Sequence, residues 1–389
     1  MIYFDNAATS YPKPPSVGTA VAQAIEDFGN PSRGAHDFSL AADRCVEYTR
    51  ERIAELFNCP DPGRVAFCKN VTEALNIAIN SVSGHIISSE AEHNSVLRPL
   101  FRRGNYSLVE TDELGRYRPE DIVRAIRPDS TAVVLAHASN LTGNLAPVEE
   151  LGRLCREKGL YFILDTAQTA GLFPLDMQAL GVDALCFTGH KSLYGLQGTG
   201  GLCLSSRFSP RPLIVGGSGS RSFEMEQPAE LPELLEAGTL NSHGLAGLAA
   251  GLDYLREQGS TPLEQADALA RFFYDSLKDL RGLIFYGDYL AERRAPIVTL
   301  NIEDMPSEEL AALLLDEQGI CVRAGAHCAP LLHRRFGTET LGAVRFSFSH
   351  FNTRDEVQTA VNCLRNCAPS RQRSQSGVRL ELSGDDLDY

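Results

Sequence analysis

The sequence predicts an α/β protein with a large, mostly parallel sheet followed by a smaller α/β domain. Three observations predict this. Apolar strand patterns alternate with amphipathic helix patterns over the first two thirds of the chain. The stretch from Thr131 to Leu164 reads as a complete strand–helix–strand crossover. A second run of helices and strands then follows a long helix that begins near Gly244. Strands joined by crossover helices pair in parallel and carry helices on their faces.

The elements follow in order. Ser39–Phe57 is an amphipathic helix, His85–Ser89 a strand and Arg118–Ile126 a helix. In the crossover, Thr131–Ala136 is an apolar strand, Val148–Lys158 a helix starting after Pro147, and Tyr161–Leu164 the next strand. Ala184–Phe187 continues the sheet and Gly200–Leu204 returns antiparallel. Gly244–Gln258 sets Leu245, Leu248, Leu252 and Leu255 on one face, a helix long enough to bridge to a second domain. Beyond it come helix Leu263–Lys278, strand Pro296–Ile302, helix Ser307–Gln318, strand Ile320–Arg323, strand Ala343–Phe348 and helix Thr353–Asn366. This order assigns residues 15–250 to the large domain, and residues 1–14 with 251–368 to the small one. From Pro369 the chain turns polar and then acidic, so residues 369–389 read as a flexible or peripheral tail.

Composition narrows the function. The 389 residues are 43% hydrophobic with a formal charge of −14, ordinary for a globular protein and unsuited to a nucleic-acid backbone, which needs a basic patch. No apolar run reaches the roughly 18 residues a membrane span requires. Met1–Asp5 lacks the basic-then-apolar pattern of a leader. The ten cysteines show no repeated C-x-x-C spacing, which fits reduced thiols in a cytoplasm. Cys363 and Cys367 lie four apart on a helix, but no nearby histidine or third cysteine completes a metal site, so none is expected.

Ligands in open parallel sheets sit beyond the carboxyl ends of the strands. Three polar clusters fall there: Ser139-Asn140, Asp165-Thr-Ala-Gln168 and Thr188-Gly-His190-Lys191. Each alone is an ordinary strand end, and a lone lysine is most simply a solvated loop charge. Gly195, Gly198, Gly200 and Gly201 follow Lys191 and suit a backbone that approaches a ligand closely. The order does not match a G-x-x-x-x-G-K-[ST] phosphate loop. A desolvated lysine that forms an imine with a carbonyl cofactor uses all three clusters.

The string Thr188-Gly-His-Lys-Ser-Leu-Tyr-Gly-Leu-Gln-Gly-Thr-Gly-Gly201 resembles the lysine loop of class V aminotransferase-fold enzymes, and in particular of the cysteine desulfurase family. The likeness continues in Tyr3-Phe-Asp-Asn-Ala-Ala-Thr9, Gly29 to His36, Asn70-Val-Thr-Glu-Ala-Leu-Asn76, Glu92-His-Asn94, Glu236-Ala-Gly-Thr239, Arg323-Ala-Gly-Ala-His-Cys-Ala-Pro330 and Val344-Arg-Phe-Ser-Phe348. Only the tail is uncovered. The resemblance implies fold type I of the pyridoxal-phosphate-dependent transferases, with pyridoxal 5'-phosphate bound by Lys191. It implies that Asp165 faces the pyridine nitrogen, Gln168 the ring oxygen and His93 the ring face. Asn140 would contact both cofactor and substrate, and Thr72, Thr188 and His190 would form the phosphate cup. Capping or loop-stabilising roles are the plainer readings of Asp165, His93 and Thr72. Thr239 in the family reaches the phosphate of the other subunit, which implies a homodimer.

Two residues select the reaction that the resemblance implies. Arg345, in an apolar strand, would clamp the substrate carboxylate; a structural ion pair is the alternative. Cys328 matches the persulfide-forming position in a short loop of the group II (SufS-like) form, although Ala326 replaces the first histidine of the usual His-His-Cys. His327 or Arg323 is expected to supply the positive charge that activates the thiol. The implied activity is conversion of L-cysteine to L-alanine, with sulfur passed to an acceptor protein. A selenocysteine lyase, another β-elimination or aminotransferase-like enzyme, and a non-enzymatic sulfur-trafficking partner are the alternatives.

Overall fold

The structure is a computed structural model, described here over residues 1–31 and 34–367. Residues 369–389, read above as a flexible tail, lie outside the described residues. Thirteen strands are described. β1 is Ile2–Tyr3, β2 Val65–Cys68, β3 His85–Ser89, β4 Tyr106–Val109, β5 Ser130–Ala136, β6 Tyr161–Asp165 and β7 Ala184–Thr188. β8 is Gly200–Leu204, β9 Leu283–Tyr286, β10 Ile297–Ile302, β11 Ile320–Cys321, β12 Arg323–Gly325 and β13 Ala343–Ser347.

The large sheet has seven strands in the order β2-β8-β7-β6-β5-β3-β4, and β8 pairs antiparallel with both neighbours. Pairings β3–β4, β3–β5, β5–β6 and β6–β7 are parallel. This bears out the sheet predicted above, including the returning strand. The near-continuous apolar runs arise because both faces are covered. Val133 and Leu135 pack with Leu245, Leu248, Leu252 and Leu255 on one face. Ala132 and Val134 pack with Ala74, Leu75 and Ala78 on the other. Burying a leucine fully contributes roughly 1.5–3 kcal/mol, so the Leu245–Leu255 row anchors its helix, Ser242–Gln258, to the sheet.

A four-stranded antiparallel sheet, β12-β13-β10-β9, lies beside a separate β1–β11 pair. Its core gathers Phe4, Phe273, Phe346 and Phe348. The chain departs from expectation at Ile320–Arg323, predicted as one strand. Ile320–Cys321 pairs parallel with Ile2–Tyr3, whereas Arg323–Gly325 pairs antiparallel with β13. The N-terminal strand captures the first half, and the second half moves across to set Arg323 opposite Arg345. No helix among the described residues is long and apolar enough to cross a membrane.

The large layer holds one buried ion pair that fixes the segment leading to Thr239. Glu236 accepts from Arg50 Nη1 at 2.8 Å and from the Phe67 backbone N–H at 2.7 Å, and both side chains are almost wholly buried. Removing one partner leaves an uncompensated charge inside. Glu236→Ala should therefore cost about 3–5 kcal/mol, read as a lower urea midpoint. An unchanged midpoint would show that Arg50 finds another partner.

Candidate active site

The carboxyl ends of β5, β6 and β7 open onto one cavity of about 220 Å³. Asp165, Gln168, Thr188, His190, Lys191 and Asn140 line it, joined by Thr72 and His93 from the neighbouring helices. Eight residues singled out in the sequence thus meet in one place.

Local structure explains how each arrives. Helix Val71–Ser81 is capped by Asn70, whose Oδ1 accepts the Glu73 N–H at 3.1 Å, while Glu73 in turn accepts the Lys69 N–H. Asn70, not Thr72, is therefore the cap, because its side chain accepts the Glu73 N–H. Thr72 sits one residue inside the helix, its hydroxyl 2.8 Å from Ser95 Oγ. The first turn of this 11-residue helix forms the cavity wall, a position suited to an anion. His93 caps the next helix, Asn94–Arg103, by accepting the Ser95 N–H on Nδ1 at 3.0 Å. That bond leaves the proton of the neutral ring on Nε2. Ser95 thus links Thr72 to His93. Nothing in the sequence marked it except its place two residues after His93.

The glycines after Lys191 serve the packing of the loop and strand around it. None of them lines the cavity. A Cβ on Gly200 would fall 2.7 Å from Asn70 Cα, so this glycine lets β8 lie against the capped helix end. Gly195 is likewise packed against Leu248.

The N-terminal motif is draped over the lysine loop. Ser10 donates to the Lys191 carbonyl at 2.8 Å, Thr9 Oγ1 lies 3.1 Å from His190 Nδ1, and Gln168 donates to the Ala7 carbonyl at 3.2 Å. Asp5 reaches Arg345 at 3.1 Å and Arg323 at 3.1 Å. Arg345 also donates to the Asn140 carbonyl at 2.9 Å. The structural ion pair weighed for Arg345 therefore exists. These three side chains still carry one net positive charge, because one carboxylate faces two guanidinium groups.

Cys328 is exposed and stands outside the cavity wall. Its loop is tied to the cavity lining at Asn140 and to Asn94, next to His93. The Cys328 carbonyl accepts the Asn94 N–H at 2.8 Å, and the His327 carbonyl accepts from Asn140 at 2.6 Å. His327 and Cys328 both adopt left-handed backbone, at φ 49° and 55°, a strained choice for two successive non-glycine residues. His327 is buried, and burial, with Arg345 next, pushes it down to about 3. It is neutral at physiological pH and does not supply the thiol-activating charge expected of it. Thr239 is exposed and lines a separate concavity beside Glu236 and Phe67, so a single chain does not bring it to the site.

The cavity groups are shifted mainly by desolvation. Burial pushes His93 and His190 down to about 4, with Lys191 adding to both. Burial raises the Asp165 carboxyl, opposed by the Ala167 N–H and Lys191. Burial, then Arg345, lowers Lys191 from 10.5 to about 8. The residues fit pyridoxal phosphate. A lysine close to neutrality can attack an aldehyde, and a buried carboxylate awaits a cation. Among the described residues, buried Thr188 Oγ1 and Asn140 Oδ1 have no hydrogen-bond partner.

The family model of aminotransferase class V matches residues 2–359. The chain is 31% identical to a probable cysteine desulfurase of Methanothermobacter thermautotrophicus over 94% of each chain. It is also 31% identical to the cysteine desulfurase IscS of Pseudomonas putida over 97% of each. Among solved structures, the apo cysteine desulfurase of Thermococcus onnurineus superposes with a TM-score of 0.88 at 31% identity, covering 94% of both chains. The cysteine desulfurase CsdA of Escherichia coli, in an S-sulfonic acid form, gives 0.83 at 27% identity over 94% of both.

The shifted lysine has a consequence for stability once the cofactor is removed. Below about pH 8 the folded and unfolded chains both carry the Lys191 proton, and the desolvation penalty stands in full. Between 8 and 10.5 only the unfolded chain is protonated, so stability rises with pH across that window. The Lys191→Met apoprotein should exceed the wild-type apoprotein by about 1–3 kcal/mol at pH 7, with the gap closing above about pH 10. Urea midpoints over a pH series measure this, and coincident midpoints at pH 7 would contradict it.

Proposed function

The chain belongs to the aminotransferase class V family and to its cysteine desulfurases, and from that premise we propose how its residues divide the work on L-cysteine. The fold is that of the type I pyridoxal-phosphate enzymes, and the cofactor is pyridoxal 5'-phosphate. When bound, it supplies an electron sink for the pair released at the substrate α-carbon.

Lys191 is the covalent anchor, and Asp165 the counter-charge at the pyridine nitrogen. Gln168 would donate to the ring oxygen, and neutral His93 would hold the ring face. Thr72, Thr188 and His190, beside the capped helix start, would hold the phosphate. Arg345 binds the substrate carboxylate with help from Asn140, and the surplus positive charge left by Asp5 supports that role. Lys191 then carries the α proton, because a base near neutrality both takes and returns one. The Cys328 thiolate attacks the substrate sulfur. An S–S bond forms as the Cβ–S bond breaks, the carbon fragment keeps that electron pair, and after taking up a proton it leaves as L-alanine. The product on the enzyme is a Cys328 persulfide, ready for an acceptor protein.

The observation that carries this reading is the backbone tie of the Cys328 loop to Asn140 in the cavity lining and to Asn94. The loop runs only from Ala326 to Ala329 between β12 and the helix Pro330–Phe336, which supports the short-loop, group II form. Separate cores, and the β1–β11 pairing, support the division into residues 15–250 and residues 1–14 with 251–368. Exposed Thr239 and the exposed apolar Ile214, Val215, Phe223 and Met225 support a homodimer in which Thr239 serves the partner's phosphate.

Lys191→Ala should lose the cofactor's visible absorbance together with all alanine production. Cys328→Ser should keep that absorbance and lose sulfur transfer by at least about 100-fold; full-rate transfer from this variant, followed by mass spectrometry of the acceptor, would end the persulfide role. Arg345→Gln should raise KM for cysteine by roughly 10- to 100-fold, the loss of a charge-assisted bond of about 1.5–3 kcal/mol. Thr239→Ala should sediment as a dimer yet bind cofactor about tenfold more weakly; cofactor titration equal to wild type would place Thr239 outside the site.

A further inference from the structure

The sequence places Cys363 and Cys367 one helical turn apart and offers no third ligand nearby. The fold supplies one. Glu317, in the last turn of helix Ser307–Gln318, meets the last two turns of helix Arg354–Cys367. One ligand atom each from Glu317, Cys363 and Cys367 lies within 4.8 Å of the others, and Cys363 Sγ is 3.5 Å from Glu317 Oε2. None of the three touches the cofactor cavity.

We propose that Glu317, Cys363 and Cys367 form a binding site for a thiophilic divalent cation of the zinc class, which clips the C-terminal helix to its neighbour. Three arguments support this. First, the pair is badly placed for a disulfide. Residues four apart on a helix hold their Cβ atoms about 5–6 Å apart, whereas a disulfide needs roughly 3.5–4.5 Å. A zinc ion with Zn–S distances of about 2.3 Å bridges two thiolates across just such a gap while the helix stays intact. Second, two soft sulfurs and one carboxylate are an ordinary zinc donor set, and water completes the tetrahedron. Third, helix Ser307–Gln318 ends at the cluster, and its carboxyl terminus favours a cation. Cys363 is buried, Cys367 half-buried and Glu317 exposed, so an ion enters from the Glu317 side. On binding, the two thiols release their protons to solvent and the ion takes both sulfur lone pairs.

The test uses the full-length, cofactor-loaded protein carrying Cys328→Ser, so that the exposed loop thiol does not bind metal. Equilibrium dialysis against zinc should give one ion per chain. Cadmium added in its place should produce a sulfur-to-metal charge-transfer band in the ultraviolet. Cys367→Ser, at a half-buried position, should weaken zinc by about 100-fold or more and remove most of the band, since loss of even an outer-shell partner costs roughly 10–100-fold. Glu317→Gln, on the surface, should weaken zinc by about tenfold or more and retain the band. The thermal midpoint should rise with zinc in the parent and not in Cys367→Ser. No band in the parent, or equal zinc affinity in the parent and both variants, would overturn the site.

Discussion

Asp5 stands between two arginines that reach it from distant parts of the chain, Arg323 and Arg345. Arg345 is almost completely buried, and a guanidinium there requires an anion and hydrogen-bond acceptors. Asp5 and the Asn140 carbonyl provide them. The residues that follow Asp5 use the same approach. Ala7 receives Gln168, and Thr9 and Ser10 bond to the carbonyls of His190 and Lys191. One short N-terminal segment thereby locks the small sheet onto the carboxyl edge of the large one. Gln168, His190, Lys191 and Arg345 are all held against it.

Burial in the cavity disfavours the charged forms of its titratable groups. Lys191 falls to about 8 and His93 and His190 to about 4, in each case chiefly through burial. A site of this kind is costly while empty. In the proposed binding mode, a phosphate at the capped helix start and a ring nitrogen at Asp165 would offset that cost. Function and stability oppose one another here for a physical reason, since the desolvation that makes Lys191 a usable nucleophile also destabilises its protonated form.

The Cys328 loop follows a different logic. It is short and strained, with two successive left-handed residues of which only Cys328 is exposed. Strain of this sort persists when neighbouring contacts over-determine the backbone, and the bonds from Asn94 and Asn140 do so. His327 contributes packing rather than charge. Its Nε2 meets the Arg323 carbonyl, and its ring stacks on His333 with centroids 5.8 Å apart. The loop in which Ala326 stands for a histidine therefore still carries a pair of imidazoles, the second coming from the following helix.

Much of this architecture was legible in the sequence because its causes are local. Apolar runs, helical periodicity and the polar residues after Ala136, Leu164 and Phe187 each follow from a few neighbouring positions, and together they fixed the sheet, its returning strand and the edge that bears Asp165 and Lys191. Family likeness extended this to Arg345 and Cys328. Tertiary structure alone decided which distant residues would share space. It made Asp5 the partner of Arg345, divided Ile320–Arg323 between two sheets, and used Gly200 to seat a helix rather than a ligand. It also neutralised His327 by burial and brought Glu317 to two cysteines that looked incomplete. Desolvation and long-range pairing depend on what surrounds a residue in space, and that is set only when the chain has folded.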